Sequence, residues 1–302
     1  MNFLFRLMGR LSLRANHRLG ALLGWLAWWF SPRHRRLTRE NIARYCAATG
    51  IADGSQLIRA SITEQGKGLS ELAFAWTAPL EQVYVLVREC HGWEHVDAAK
   101  KNDRAIIFVT PHLGCYDIAG RYLESRIAVT ALYRSPKMAA LEPVMQRGRV
   151  RGEGSTASAS AGGVRTLLKT LKAGGNIIIL PDQVPAPEQG GDGEWADFFG
   201  TPAYTMTLLP RLQRTSDADV LFFFAERLAD GAGYRVHILP MPESYSDDRA
   251  IAARQTNVMV ATLVSMAPAQ YLWSYNRYKH PAGATPRPDT SDTTNTTSSR
   301  LA

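Results

Sequence analysis

The chain has few cysteines and no N-terminal run long enough to span a membrane. Cys46, Cys90 and Cys115 are its three cysteines; they form no CxxC pair and follow no regular spacing. An odd, sparse set excludes a disulfide framework and a zinc ribbon and points to a reducing, cytosol-facing compartment. The uncharged stretch from Leu19 to Pro32 is 14 residues long, short of the roughly 20 apolar residues of a spanning helix. Where a secretory signal needs small residues for cleavage, the sequence has Trp28, Trp29 and Phe30. There is no internal repeat, no Walker A pattern and no GxSxG elbow, which argues against a serine esterase. GEGSTA at 152–157 has dinucleotide-fingerprint spacing but follows the basic run RGRVR instead of a buried strand. His91 and His95 have HxxxH spacing with no third ligand evident nearby.

What is there describes a folded, basic protein. The 302 residues are 45% hydrophobic and 21% charged, with a net charge of +8 and a pI near 9.5. Such a charge favours anionic partners: a membrane surface, an acidic protein or nucleic acid. No nucleic-acid reading element is evident, so nucleic acid is not expected. Arg6, Arg10, Arg14 and Arg18 fall four apart and would form one slowly drifting stripe on a helix. The tryptophan-rich stretch LGALLGWLAWWF follows, and then SPRHRRLTR, again basic. Arginines beside a tryptophan cluster suit a helix lying in the headgroup region of the cytoplasmic leaflet. The other reading is a helix pair buried in the fold.

Three units are expected: a membrane-associating helical segment at 1–36, a catalytic domain at 37–281, and a disordered Thr/Ser-rich tail at 282–302. Helices are predicted over much of 37–90, with Gly50 ending the first. RAIIFVT, AVTALYR and NIIILPD read as buried strands, with helices at 117–125 and 162–175 between them. PKMAALEPVMQRGRVR also reads as helical. DADVLFFFAERL and GYRVHILP read as two more strands joined through Asp230-Gly231, before a helix at 247–266. The fold expected is therefore α/β, with a mixed, mostly parallel sheet flanked by helices.

TPHLGCYD, residues 110–117, is the stretch most suggestive of chemistry. It follows a strand, and strand C-terminal ends are where open α/β sheets collect ligands. On a helix, positions five apart lie about 140° from each other. His112 must therefore sit in the turn and Asp117 in the following helix if they cooperate. Asp117 is then expected to accept the Nδ1–H of His112 and leave Nε2 free as a base. That is a catalytic triad without its serine, so the nucleophile would be a substrate hydroxyl. Cys115, inside the motif, reads as a small buried filler.

HLGCYD fits the HX4D motif of membrane acyltransferases. With LYRSPK, QRGRVR, GGVRTLLKTLKAGG, LPDQVP, ADFFGTPAYT and AQYLWSYNRYKHP, the chain resembles the late acyltransferases of lipid A biosynthesis, the lauroyl/myristoyl transferases, from about residue 5 to 281. The resemblance implies transfer of an acyl chain from acyl carrier protein to a hydroxyl of a Kdo-bearing lipid A precursor, at the cytoplasmic face of the inner membrane. It gives His112 the role of general base and Asp117 that of its carboxylate partner, where many members carry Glu. It places Arg149 near the active site. Arg134, Asp182 and Arg151 join Arg149 as substrate-binding candidates. No metal or cofactor is expected, because a thioester already has a good leaving group. FFGTPAYT at 198–205 is a candidate lining for the acyl path, though core packing explains its phenylalanines equally well. The alternatives are a related acyltransferase acting on a glycerophospholipid or another glycolipid, and a non-catalytic protein that binds anionic lipid.

Overall fold

A computed structural model describes residues 8–133, 154–158 and 160–288. The expected helix after Pro136, the basic run QRGRVR, and the candidates Arg134, Arg149 and Arg151 lie outside the described residues.

Among the described residues four helices come first: α1 (Leu13–Phe30), α2 (Pro32–Thr49), α3 (Ser55–Thr77) and the short α4 (Leu80–Tyr84). Ser12 caps α1 by accepting from the Ala15 amide, so the helix begins after Arg10, and only Arg14 and Arg18 of the arginine stripe lie on it. Arg14 is further committed, its Nε donating to the Asp230 carbonyl at 2.9 Å. The α2 helix crosses residue 36 without a break and ends at Gly50, whose φ of 75° closes it.

Nine strands follow among the described residues, seven of them in one sheet of order β1-β9-β8-β2-β5-β3-β4. They are β1 (Val87–His91), β2 (Ile106–Val109), β3 (Val129–Tyr133), β4 (Ser155–Ser158), β5 (Asn176–Ile179), β8 (Asp219–Arg227) and β9 (Tyr234–Pro240). Strands β8, β2, β5, β3 and β4 run parallel; β9 turns back antiparallel on β8, and β1 lies parallel to β9 at the edge. Helices α5 (Trp93–Lys101), α6 (Tyr116–Glu124), α7 (Ala161–Lys172), α8 (Leu208–Ser216) and α9 (Arg249–Met266) supply the connections and the covering layers. The expected α/β class and mostly parallel mixed sheet are therefore observed. The central strands IIFV and NIII are buried at every position, as a sheet covered on both faces requires.

The β6–β7 hairpin (Gly193–Phe198 and Thr201–Met206) stands apart from this sheet. Phe198, Ala203 and Tyr204 are buried, and Phe198 packs near Phe199, Tyr271 and Tyr278. Of the two readings of FFGTPAYT, core packing is the one these contacts support.

No helix among the described residues is long and apolar enough to cross a membrane. The α1 helix packs along α3 and presents Leu22, Trp25, Leu26, Trp29 and Phe30 outward.

Candidate active site

The site is built by the register of two neighbouring strands. β2 and β5 pair in parallel, with Val109 opposite Ile179. His112 and Asp182 each sit three residues past those paired ends. The amide of Thr110 still bonds the Ile179 carbonyl at 3.1 Å, so the two chains leave the sheet side by side. His112 Nδ1 then donates to Asp182 Oδ1 at 2.8 Å, and the His112 backbone N–H donates to Oδ2 at 2.9 Å. One residue thus holds both oxygens of the carboxylate.

This corrects the expected pairing. Asp117 lies in the first turn of α6, and its Oδ1 accepts from Trp76 Nε1 at 3.1 Å. Asp182, expected among the substrate-binding residues, is the carboxylate on Nδ1. Burial by itself would raise its pKa. The His112 charge and hydrogen bonds, with a smaller contribution from Arg277, outweigh that and hold Asp182 below the usual carboxylate range. In the neutral ring, with Nδ1–H committed to Asp182, the lone pair is the one on Nε2. The Gln183 side-chain amide donates to it at 3.0 Å. Gln183 was not singled out from the sequence, although it sits inside LPDQVP.

The turn itself is clamped. Gly114 has φ 60°, and a Cβ there would collide with the Ala225 carbonyl of β8. Its amide donates to the Gln270 carbonyl at 3.2 Å, and the next amide, Cys115, donates to Ala225 at 2.9 Å. The segment AQYLWSYNRYKHP closes this end of the sheet. Past a 3₁₀ turn at Pro268–Gln270 it crosses the sheet end, bridging Tyr271 to Leu113 and bonding the Leu272 amide to the His112 carbonyl at 3.0 Å. Tyr275 also accepts from the Val184 amide at 2.9 Å, so one segment pins both turns.

A pocket of about 240 Å³ opens at this point, lined by His112, Tyr116, Asp117, Leu69, Leu72, Arg227 and neighbours. Arg227 ends β8 and is bound into the fold: its Nε donates to Glu71 at 2.7 Å and its Nη2 to the Gly114 carbonyl at 2.6 Å, while Nη1 lies 3.5 Å from Glu64. Cys115 lines the pocket too, but burial first, then Glu71, pushes its thiol well up, away from nucleophile chemistry. A larger cleft of about 390 Å³ lies at the opposite end of the sheet, and its cation Arg104 is already bonded to Asp217 and Asp219.

A histidine with an oriented, basic nitrogen beside an apolar-walled pocket suits proton abstraction from a hydroxyl. The family profile described as "Bacterial lipid A biosynthesis acyltransferase" matches residues 1–280. The chain belongs to that family. It is an acyltransferase of lipid A biosynthesis. It is 28% identical over 263 residues to a lipid A biosynthesis palmitoleoyltransferase of Escherichia coli K12, covering 86% of this chain and 84% of that one. It is 26% identical over 266 residues to the lauroyltransferase of the same strain, covering 87% and 85%. A myristoyltransferase from that strain matches at 27% over 186 residues, covering 60% of this chain and 56% of its own.

Proposed function

We propose that this acyltransferase moves a fatty acyl chain from acyl carrier protein to a hydroxyl of a Kdo-bearing lipid A precursor, with His112 as general base. The observation that carries this reading is the His112–Asp182 pair. Asp182 fixes the Nδ1–H tautomer and stabilises the imidazolium once formed. Nε2 exchanges its contact with Gln183 for the substrate hydroxyl and takes the hydroxyl proton as the oxygen attacks the thioester carbonyl. The tetrahedral adduct collapses, the C–S bond breaks, and the imidazolium returns the proton to the departing thiolate. Asp117, the carboxylate of HX4D, acts from the same pocket and is held by Trp76. Arg134, Arg149 and Arg151 bind the phosphates and carboxylates of the acceptor, for which arginine's planar fork is suited.

The acceptor lies in a membrane, and α1 suits docking to one. Arg14, Arg18, Leu22, Trp25 and Trp29 are all exposed and fall within about 80° of arc on an ideal helix. We place this face on the cytoplasmic surface of the inner membrane, arginines among the headgroups and tryptophans at the interface.

The test is mass-spectrometric. Detergent-purified protein is offered acyl carrier protein thioesters and a tetra-acylated Kdo–lipid A precursor, with His112→Ala beside it. One acyl mass added by the wild type and lost in the variant is the expected result. Transfer to a glycerophospholipid alone would overturn the acceptor, and full activity in His112→Ala would overturn the base.

A further inference from the structure

The face of α1 opposite its exposed stripe bears on the active site. Asn16 and His17 are buried there, against Ser70 and Glu71 of α3. The two helices cross at glycine: side chains on Gly20, Gly24 or Gly66 would collide with the facing backbone. From Gly20 to Gly24 the facing α3 residues fall from Ser70 and Lys67 to Ile62, so the helices run antiparallel. Asn16 locks the crossing, donating to the Ser70 carbonyl at 3.2 Å and accepting from Ser70 Oγ at 2.7 Å.

At the end of this seam lies an unbroken line of contacts. His17 Nε2 bonds Glu71 Oε1 at 2.6 Å, and Glu71 Oε2 accepts from Arg227 Nε at 2.7 Å. Arg227 Nη2 donates to the carbonyl of Gly114, two residues from His112, at 2.6 Å. Tyr234 adds a third donor to Glu71 at 2.8 Å. Arg227 is tied further to the crossing segment, its backbone N–H donating to Gln270 Oε1 at 2.8 Å. Gln270 in turn accepts from the Gly114 amide. His17, Glu71, Arg227 and Tyr234 are all nearly closed to water, so no solvent can stand in for a lost partner among them.

We propose that α1 is part of the catalytic apparatus as well as a docking element: His17, acting through Glu71 and Arg227, is a positioning residue for the turn that carries His112. The inference rests on the reading of His112 as the base. Gly114 is held at positive φ by several backbone contacts, and its own carbonyl is the point at which Arg227 sets where the turn sits. A displacement of about 1 Å in a catalytic group can cost a factor on the order of a hundred.

The experiment separates positioning from anchoring. His17→Asn is too short to reach Glu71; His17→Gln is long enough. Both are assayed in detergent with the full set of substrates, where docking on a bilayer is not required. Hydrogen exchange is followed for the amides of 112–117. The expected result is a kcat lowered about tenfold or more in His17→Asn, KM within about twofold, faster exchange in the turn, and recovery of both in His17→Gln. Flotation with phosphatidylethanolamine–phosphatidylglycerol vesicles stays at the wild-type level. If His17→Asn does not fold, Glu71→Gln replaces it; it keeps an acceptor for His17 and removes the charge facing Arg227. Wild-type kcat and wild-type exchange in a folded variant would overturn the proposal. So would turnover in detergent that is retained while vesicle binding is lost. An inactive wild type would instead count against the proposed donor and acceptor, and the exchange measurement would still decide whether α1 holds the turn.

Discussion

Two of the molecule's histidine–carboxylate pairs, both with a carboxylate closed to water, are built for opposite ends. His112 meets Asp182 at 2.8 Å and His17 meets Glu71 at 2.6 Å, so distance does not tell them apart. Surroundings do. Asp182 takes two donations from His112 itself, and His112 keeps 16% of its side chain open at the edge of a pocket. Glu71 is wholly enclosed and takes Arg227 and Tyr234 besides His17. One pair turns the imidazole's Nε2 toward the Gln183 amide at the edge of a pocket; the other uses its imidazole as one donor among three. A base is recognised by what its second nitrogen faces.

The largest expected effect breaks the first pair. His112→Ala should lower kcat by about 10³-fold or more, within the range for loss of a general base, while the melting temperature stays close to wild type. The next sharpens the assignment within the pair. Asp182→Asn should cost about 10²-fold in kcat, because an amide no longer dictates the imidazole tautomer. Asp117→Asn should cost less, since its contact with Trp76 positions α6 and not Nδ1. The reverse order in a steady-state assay would return the partner's role to Asp117.

That assignment marks the limit of what the sequence can tell. β2, β5 and β8 were legible as apolar runs because their side chains are buried on both faces, and β9 by the alternation of one buried face. Edge strands gave no such signal: VRECH alternates between half-buried and exposed, and STAS is almost wholly exposed. The β6–β7 hairpin was missed because its two-residue turn is Phe199-Gly200, both at positive φ, without the Asn-Gly or Asp-Gly that usually announces such a turn. His112 could be found because its motif is local. Its partner could not, because Asp182 is 70 residues away and reaches it through strand register. Glu71 and Arg227, 156 residues apart, carry no local pattern at all.

The second pair is expected to show itself in stability. Burial favours the neutral acid, but the Arg227 charge, with His17 and Tyr234, overrides it and holds Glu71 at about 2, against an ordinary 4.5. A carboxylate whose folded pKa is depressed contributes stability that is complete above the unfolded pKa. That stability fades as pH falls from about 4.5 toward about 2. It amounts to about 3 kcal/mol at neutral pH. Urea unfolding at pH 6 should therefore find Glu71→Gln less stable than wild type by an amount of that order, and the gap should narrow steadily toward pH 3. A gap independent of pH would mean that the carboxylate's charge is not what holds α1 to the sheet.

The smallest effect belongs to the residue that sits between the pairs. Cys115 lies inside the HX4D motif and within the same pocket, so sequence position alone makes it a rival nucleophile. Its surroundings say otherwise: it is 3% exposed, and burial with the neighbouring Glu71 keeps the thiol protonated. A covalent acyl-cysteine route would lose all turnover in Cys115→Ala. Direct attack by a substrate hydroxyl should lose about threefold at most, since only a small sulfur-sized void is created next to the turn. Iodoacetamide should likewise leave wild-type turnover nearly intact at neutral pH, because the attacking species is the thiolate. A trapped acyl-enzyme on Cys115 would move the chemistry from His112's substrate to the protein itself. The His112–Asp182 pair would then be the activator of a thiol and not of an alcohol.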